Sequence, residues 1–189
     1  MIDNLCDWEV GGNAIIAAFY FDFAAQGEQS LMSVLGSLLK QVISALREIP
    51  AKIVQAFQDQ KNVVGGRKLG PDEIVEMLQD ILSSRRTFIC IDALDECIVE
   101  YRAKLLDSLK QILHRLPNTR IFLTGRRHVW DEVEKHLAGR VVTVSITPTR
   151  DDIIRFLRAK LREDITLDAM DKNLEVDIIK AIPEMVSEM

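Results

Sequence analysis

Thr87-Phe88-Ile89-Cys90-Ile91-Asp92-Ala93-Leu94-Asp95-Glu96 is the stretch on which the fold turns. Its apolar run is too short for a helix and rich in β-branched and aromatic side chains, which is how a strand buried on both faces reads. Asp92 closes the run, and Asp95 and Glu96 follow at once. In an open α/β sheet, ligands bind outside the carboxyl ends of the strands. A carboxylate there can hold Mg²⁺ through water, and a second one a short turn later can orient the water that attacks a γ-phosphate. The same residues also fit a plainer role, with Asp92 capping the strand end and Asp95 and Glu96 favouring the start of the next helix.

Outward from this stretch, strand and helix patterns take turns. Upstream, Ala14 to Phe23 is an apolar and aromatic run bounded by glycine, read as another buried strand. Leu31, Val34, Leu35, Leu38, Leu39 and Val42 recur at spacings of three and four, the stripe of a long amphipathic helix. A shorter helix follows Pro50, a loop spans Gly65 to Gly70, and Pro71-Asp72-Glu73 opens another helix with acidic residues in its first turn. Downstream, Leu105 to Leu116 marks a helix, Thr119 to Thr124 a third strand, Val133 and Leu137 a short helix, and Val141 to Ile146 a fourth strand ended by Pro148. Thr149 and Asp152 resemble a capping box, and a last helical stripe runs from Leu174 to Met189. This alternation predicts an α/β fold, a mainly parallel sheet of about four strands with helices on both faces.

The third strand ends in Thr124-Gly125-Arg126, which puts a guanidinium at the same sheet edge as the carboxylates. Arginine suits bidentate contact with phosphate. With Arg127 and His128 it also fits an ordinary solvated basic loop.

Composition narrows the partners. With 24 Lys and Arg against 29 Asp and Glu, the net charge is -5, which argues against nucleic acid and anionic membrane surfaces. The apolar run from Ala14 to Phe21 is too short to span a bilayer and has no basic flank, so neither an anchor nor a signal peptide is expected. Cys6, Cys90 and Cys97 lack metal-ligand spacing and point to a reducing, cytoplasmic setting with no disulfides. Cys97 with His114 is a weak thiol-nucleophile candidate. Gly-x-Gly-x-x-Gly, Gly-x-Ser-x-Gly and His-Glu-x-x-His are all missing.

Ala18-Phe19-Tyr20-Phe21-Asp22-Phe23, Ile89 to Cys97, Ile121-Phe122-Leu123-Thr124-Gly125-Arg126 and Pro148 to Ile154, in that order, resemble the NACHT domains of STAND P-loop NTPases. The similarity is to the nephrocystin-like N-terminal type abundant in large fungal NACHT proteins. That resemblance implies ATP and Mg²⁺ as cofactors, with Asp92 as the Walker B aspartate facing the metal and Asp95 and Glu96 as the catalytic acidic pair. It further implies Thr124 and Arg126 as nucleotide contacts, Arg126 being the sensor arginine. Signalling through protein partners, or self-association through the NACHT domain, is implied as well.

The resemblance divides the chain into a partial nucleotide-binding domain, residues 1–147, and the start of a helical domain, residues 148–189. It also demands a phosphate-binding loop, yet no glycine in the chain is followed by lysine. Met1 to Leu5 resembles the end of the helix that follows that loop. In the family, the strand before the loop lies inside the sheet, between the strands read at Thr119–Thr124 and Val141–Ile146. The expectation is therefore an incomplete P-loop NTPase that carries the Walker B side of an ATP site, does not bind or hydrolyse ATP alone and is marginally stable. The alternative is a non-catalytic interaction module or remnant of a larger NACHT protein.

Overall fold

A computed structural model describes residues 14–62, 69–163 and 172–187. Met1 to Leu5, Cys6, Gly65, Gly66 and Met189 lie outside the described residues. Strands β1 (Ala14–Tyr20), β2 (Arg86–Asp92) and β3 (Thr119–Leu123) form one parallel sheet in the order β1-β2-β3. The helices are α1 (Leu31–Ser44), α2 (Ala51–Asn62), α3 (Pro71–Leu82), α4 (Val99–Arg115), α5 (Trp130–Leu137), α6 (Arg150–Glu163) and α7 (Lys172–Ser187).

The α/β class and the parallel pairing follow from the alternation in the sequence. Ser30 caps α1 by accepting from Ser33 N at 3.2 Å. Glu73 reaches back to Gly70 N at 2.8 Å at the start of α3, meeting one of the backbone donors that a helix start leaves open. One sheet face carries Ile15, Ala17, Ile89 and Ile91, which join a single core with Leu35 and Leu38 of α1, Leu78 of α3 and Leu105 and Leu109 of α4. Burying each such side chain contributes about 1.5–3 kcal/mol relative to leaving it in water. Phe88 and Cys90, on the opposite face, are buried too, so β2 is closed to solvent on both sides, as its unbroken apolar run requires.

β1 departs from its expected form. It stops at Tyr20 rather than Phe23, because Asp22 accepts from Ala24 N at 2.9 Å and starts a 3-10 turn, Phe23–Glu28. A side chain covers the middle of the edge that β1 leaves open among the described residues: Gln41 of α1 accepts from Ala18 N at 2.9 Å and donates to Ala18 O at 2.8 Å. One amide thus satisfies both backbone groups of Ala18, two of those that an edge strand otherwise offers to another chain.

Among the described residues the sheet has three strands, not about four. Residues 141–149 have no regular structure, and Val142, Val144 and Ile146 are 90%, 69% and 82% exposed. Alternation supplies the side-chain pattern of a strand, but a strand persists only where its N–H and C=O groups find partners. Among the described residues the sheet ends at β3, so Val141–Ile146 has no strand beside it.

Two further features belong to the sheet and its helices. Thr87 and Thr119 face each other across β2 and β3, both buried, and neither hydroxyl has a hydrogen-bond partner among the described residues. An unpartnered hydroxyl costs stability, and one buried water between the two would offset it. Arg102 of α4 donates from Nε to Glu132 of α5 at 2.7 Å and from Nη1 to Cys97 O at 3.2 Å, tying the two helices through a buried arginine and a partly buried acid.

The chain divides into two compact units, one through Val141 and one from Val142. In the second, α6 and α7 pack against each other. The expected capping box forms: Thr149 Oγ1 accepts from Asp152 N at 3.2 Å, and Asp152 accepts from Thr149 N at 3.1 Å. The Thr149 hydroxyl, donating to Asp152, lowers that carboxyl below its ordinary range.

Candidate functional site

Because β2 and β3 are parallel neighbours, their carboxyl ends emerge side by side, and the sequence-predicted residues meet there. Thr124 Oγ1 donates to Asp92 Oδ1 at 2.5 Å and accepts from Ala93 N at 3.0 Å. Its backbone accepts from Leu94 N at 2.8 Å and donates to Ile91 O at 3.0 Å. These bonds hold Ala93 in the left-handed region, φ 53° and ψ 48°, which costs a non-glycine residue about 1–2 kcal/mol. The left-handed step turns the chain sharply out of β2 into the 3-10 turn Leu94–Glu96, and Leu94 anchors that turn in the core.

The turn presents Asp95 and Glu96 to Arg126. Asp95 accepts from Arg126 N at 3.2 Å through Oδ1 and pairs with Arg126 Nε at 3.3 Å through Oδ2. Arg126 Nη2 approaches Glu96 Oε1 at 3.5 Å. The Asp95 carboxylate is 7% exposed and the Arg126 side chain 75%, so the acid is fixed and the guanidinium stays accessible. The five residues form two linked pairs of contacts, Asp92 with Thr124 and Asp95–Glu96 with Arg126.

Two contributors escaped the sequence reading. Gln26, in the turn after β1, donates to Glu96 O at 2.7 Å and so links the first strand's tip to the acidic turn. Gly125 lets the two turns approach: a Cβ there would sit 3.2 Å from Val129 Cγ2 and 3.3 Å from Asp95 Oδ1. A glycine after a strand signals a turn, whereas a lone glutamine carries no such signal.

Among the described residues no three His, Cys, Asp or Glu side chains converge as a metal cage. Mg²⁺ on a phosphate needs less, one or two carboxylates with water and phosphate oxygens completing the shell. Asp92, which gives one oxygen to Thr124 and keeps the other, is a donor of that kind; Asp95 already has both oxygens on Arg126. The residues therefore fit a phosphate-bound metal, and hold a bare divalent ion only weakly, in the millimolar range.

Cys97 is no nucleophile. Burial pushes its thiol up to about 11, Arg102 opposing and Glu132 adding to the rise. Cys97 precedes α4 and His114 lies in its last turn, so the two do not meet. Since the thiolate is the reactive form, iodoacetamide should leave Cys97 unmodified at neutral pH, with alkylation climbing only as pH approaches 11; peptide mapping after timed labelling measures this. Cys90 and Cys97 are both buried thiols outside any disulfide.

No described helix is long and apolar enough to cross a membrane. No curated protein matches the chain. Among solved structures, the chain is similar to the Walker-type ATPase of Pyrococcus abyssi, with 18% identity and a TM-score of 0.50, over 90% of this chain and 53% of that one. At that identity the likeness is one of fold, and the chain spans about half the length of that ATPase. The family model described as nephrocystin 3, N-terminal, matches residues 1–126. With two thirds of its 189 residues matched, the chain belongs to the nephrocystin 3 N-terminal family.

Proposed function

We propose that the chain supplies the metal-facing side of an ATP site in a NACHT-type STAND signalling switch, and that it does not bind Mg-ATP by itself. The observation that carries this is the stitched strand tips, with Asp92 held by Thr124 and Arg126 folded onto Asp95 and Glu96. Asp92 is the Walker B aspartate, its second oxygen open to metal-bound water. Asp95 and Glu96 are the pair that orients the attacking water. Arg126 is the sensor: its exposed guanidinium leaves the two acids when a γ-phosphate offers a better bidentate partner. Mg²⁺, when present with nucleotide, neutralises phosphate charge.

What the 189 residues do not hold is a Gly-Lys phosphate loop. Backbone N–H groups and a lysine normally attract the polyphosphate, and three carboxylates beside one arginine repel it. Activity thus requires a phosphate cradle from outside these residues. Mn²⁺ tests the metal side alone. At millimolar concentration it should broaden the amide NMR signals of Asp92, Ala93 and Thr124 first, and Asp92→Asn should remove that effect. Broadening centred elsewhere would refute the assignment.

A second reading, a non-catalytic interaction module, is favoured by the exposed Val142, Val144 and Ile146. Exposed apolar runs mark association surfaces, and a concentration-dependent sedimentation coefficient would support this use.

A further inference from the structure

A cavity of 620 Å³ opens beside the C-terminal half of α4. α4 starts just past the acidic turn and ends four residues before β3. Its 17 residues span about 25 Å, so the cavity stands apart from the Asp92 cluster. Its volume falls in the range of about 300–1,000 Å³ seen for small-molecule sites. Lys110, Arg115 and Arg140 line it together with His114, and Asp72 and Glu76 of α3 face the same space.

Basic residues in a last helical turn have an ordinary use, since they offset the negative end of the helix dipole. Arg115 has that place at the end of α4 and Arg140 follows α5, and each exposed side chain is also tied to the cavity wall by one hydrogen bond. Arg115 Nη1 donates to Gln79 Oε1 at 3.0 Å, and Gln79, itself buried, is held in turn by donating to Gln111 O at 2.9 Å. Arg140 Nη1 donates to Leu113 O at 2.9 Å. Each guanidinium spends one N–H on its anchor and keeps its others. Two neighbouring guanidiniums suit an oxyanion group, and the one hydrogen bond that anchors each lowers part of the ordering cost of binding.

The carboxylates decide the rest of the ligand. Asp72 and Glu76 penalise a polyanion and favour a positive group, so the cavity selects charge of both signs on one small molecule. We propose that it binds a small zwitterion bearing an acid group and an amine, free amino acids being the simplest class. The acid group sits on Arg115 and Arg140, with Lys110 adding long-range attraction, and the amine faces Glu76 and Asp72.

Titrating the intact chain with glutamate, serine, succinate and inorganic phosphate, followed by calorimetry and amide shifts, tests this. Glutamate should bind saturably in the millimolar range or tighter, about fivefold or more above succinate and phosphate. Lys110→Gln, an exposed change that removes no structural hydrogen bond, should weaken glutamate and succinate alike. Glu76→Gln should erase the preference for glutamate over succinate. Unaltered thermal midpoints in both variants exclude misfolding as the cause. The proposal is overturned if neither amino acid binds saturably, if succinate or phosphate binds as tightly as glutamate, or if Lys110→Gln leaves binding unchanged.

Discussion

Glu132→Ala should destabilise the unit through Val141 by roughly 3–5 kcal/mol, the cost of leaving a buried charge without its partner. The Arg102 side chain is 9% exposed and that of Glu132 23%. Removing the acid strands a guanidinium whose other hydrogen bond among the described residues is to the Cys97 carbonyl. The urea midpoint should fall with the slope unchanged, the sign of lost stability rather than an altered unfolded state. The paired change Arg102→Leu with Glu132→Leu should recover most of the loss, since a buried ion pair is often replaceable by apolar groups of similar size. A single-variant loss below about 1 kcal/mol would mean that the pair is solvated like a surface bridge. Because Glu132 helps to raise the Cys97 thiol, Glu132→Ala should also make that thiol more acidic, which the alkylation profile would report.

Thr124→Val should cost about 2–3 kcal/mol, because hydrogen bonds to a charged group contribute roughly 1.5–3 kcal/mol and an orphaned donor adds to the loss. Valine keeps the shape and removes both the donor to Asp92 and the acceptor for Ala93 N. The left-handed turn at Ala93 then loses one of its restraints, and Asp95 and Glu96 loosen with it. Thr124→Ser retains the hydroxyl and should lose much less. Amide exchange at Ala93 and Leu94 should quicken in the valine variant and stay slow in the serine one. Equal effects from both would show that the methyl group, and not the hydroxyl, holds the turn.

How far the sequence reveals the molecule depends on whether a feature is carried by period or by partner. The strand at Arg86–Asp92 and the helices at Leu31–Ser44, Pro71–Leu82 and Val99–Arg115 announce themselves through apolar spacing and first-turn chemistry, and they form as expected. Val141–Ile146 has the same kind of period, yet pairing decides strands, and here a pairing partner is missing among the described residues. The cover that Gln41 gives the middle of the β1 edge is illegible for a related reason, since only the folded chain brings residues 18 and 41 together. That Asp92, Thr124 and Arg126 meet at one edge is legible, because strand tips of a parallel sheet must emerge there together. The pinning of both Asp95 oxygens by Arg126, the left-handed Ala93 and the reach of Gln26 depend on side-chain geometry that spacing does not encode.

In the proposed function the strand tip at Asp92 is one half of a nucleotide site, with its hydrogen bonds in place and no Gly-Lys phosphate loop in the same 189 residues. Calorimetric titration of Mg-ATP into the 189-residue chain tests this most directly. The predicted result is no saturable heat up to about 1 mM nucleotide, a limit near 4 kcal/mol of binding free energy. Saturable micromolar binding that disappears in Asp92→Ala would contradict it.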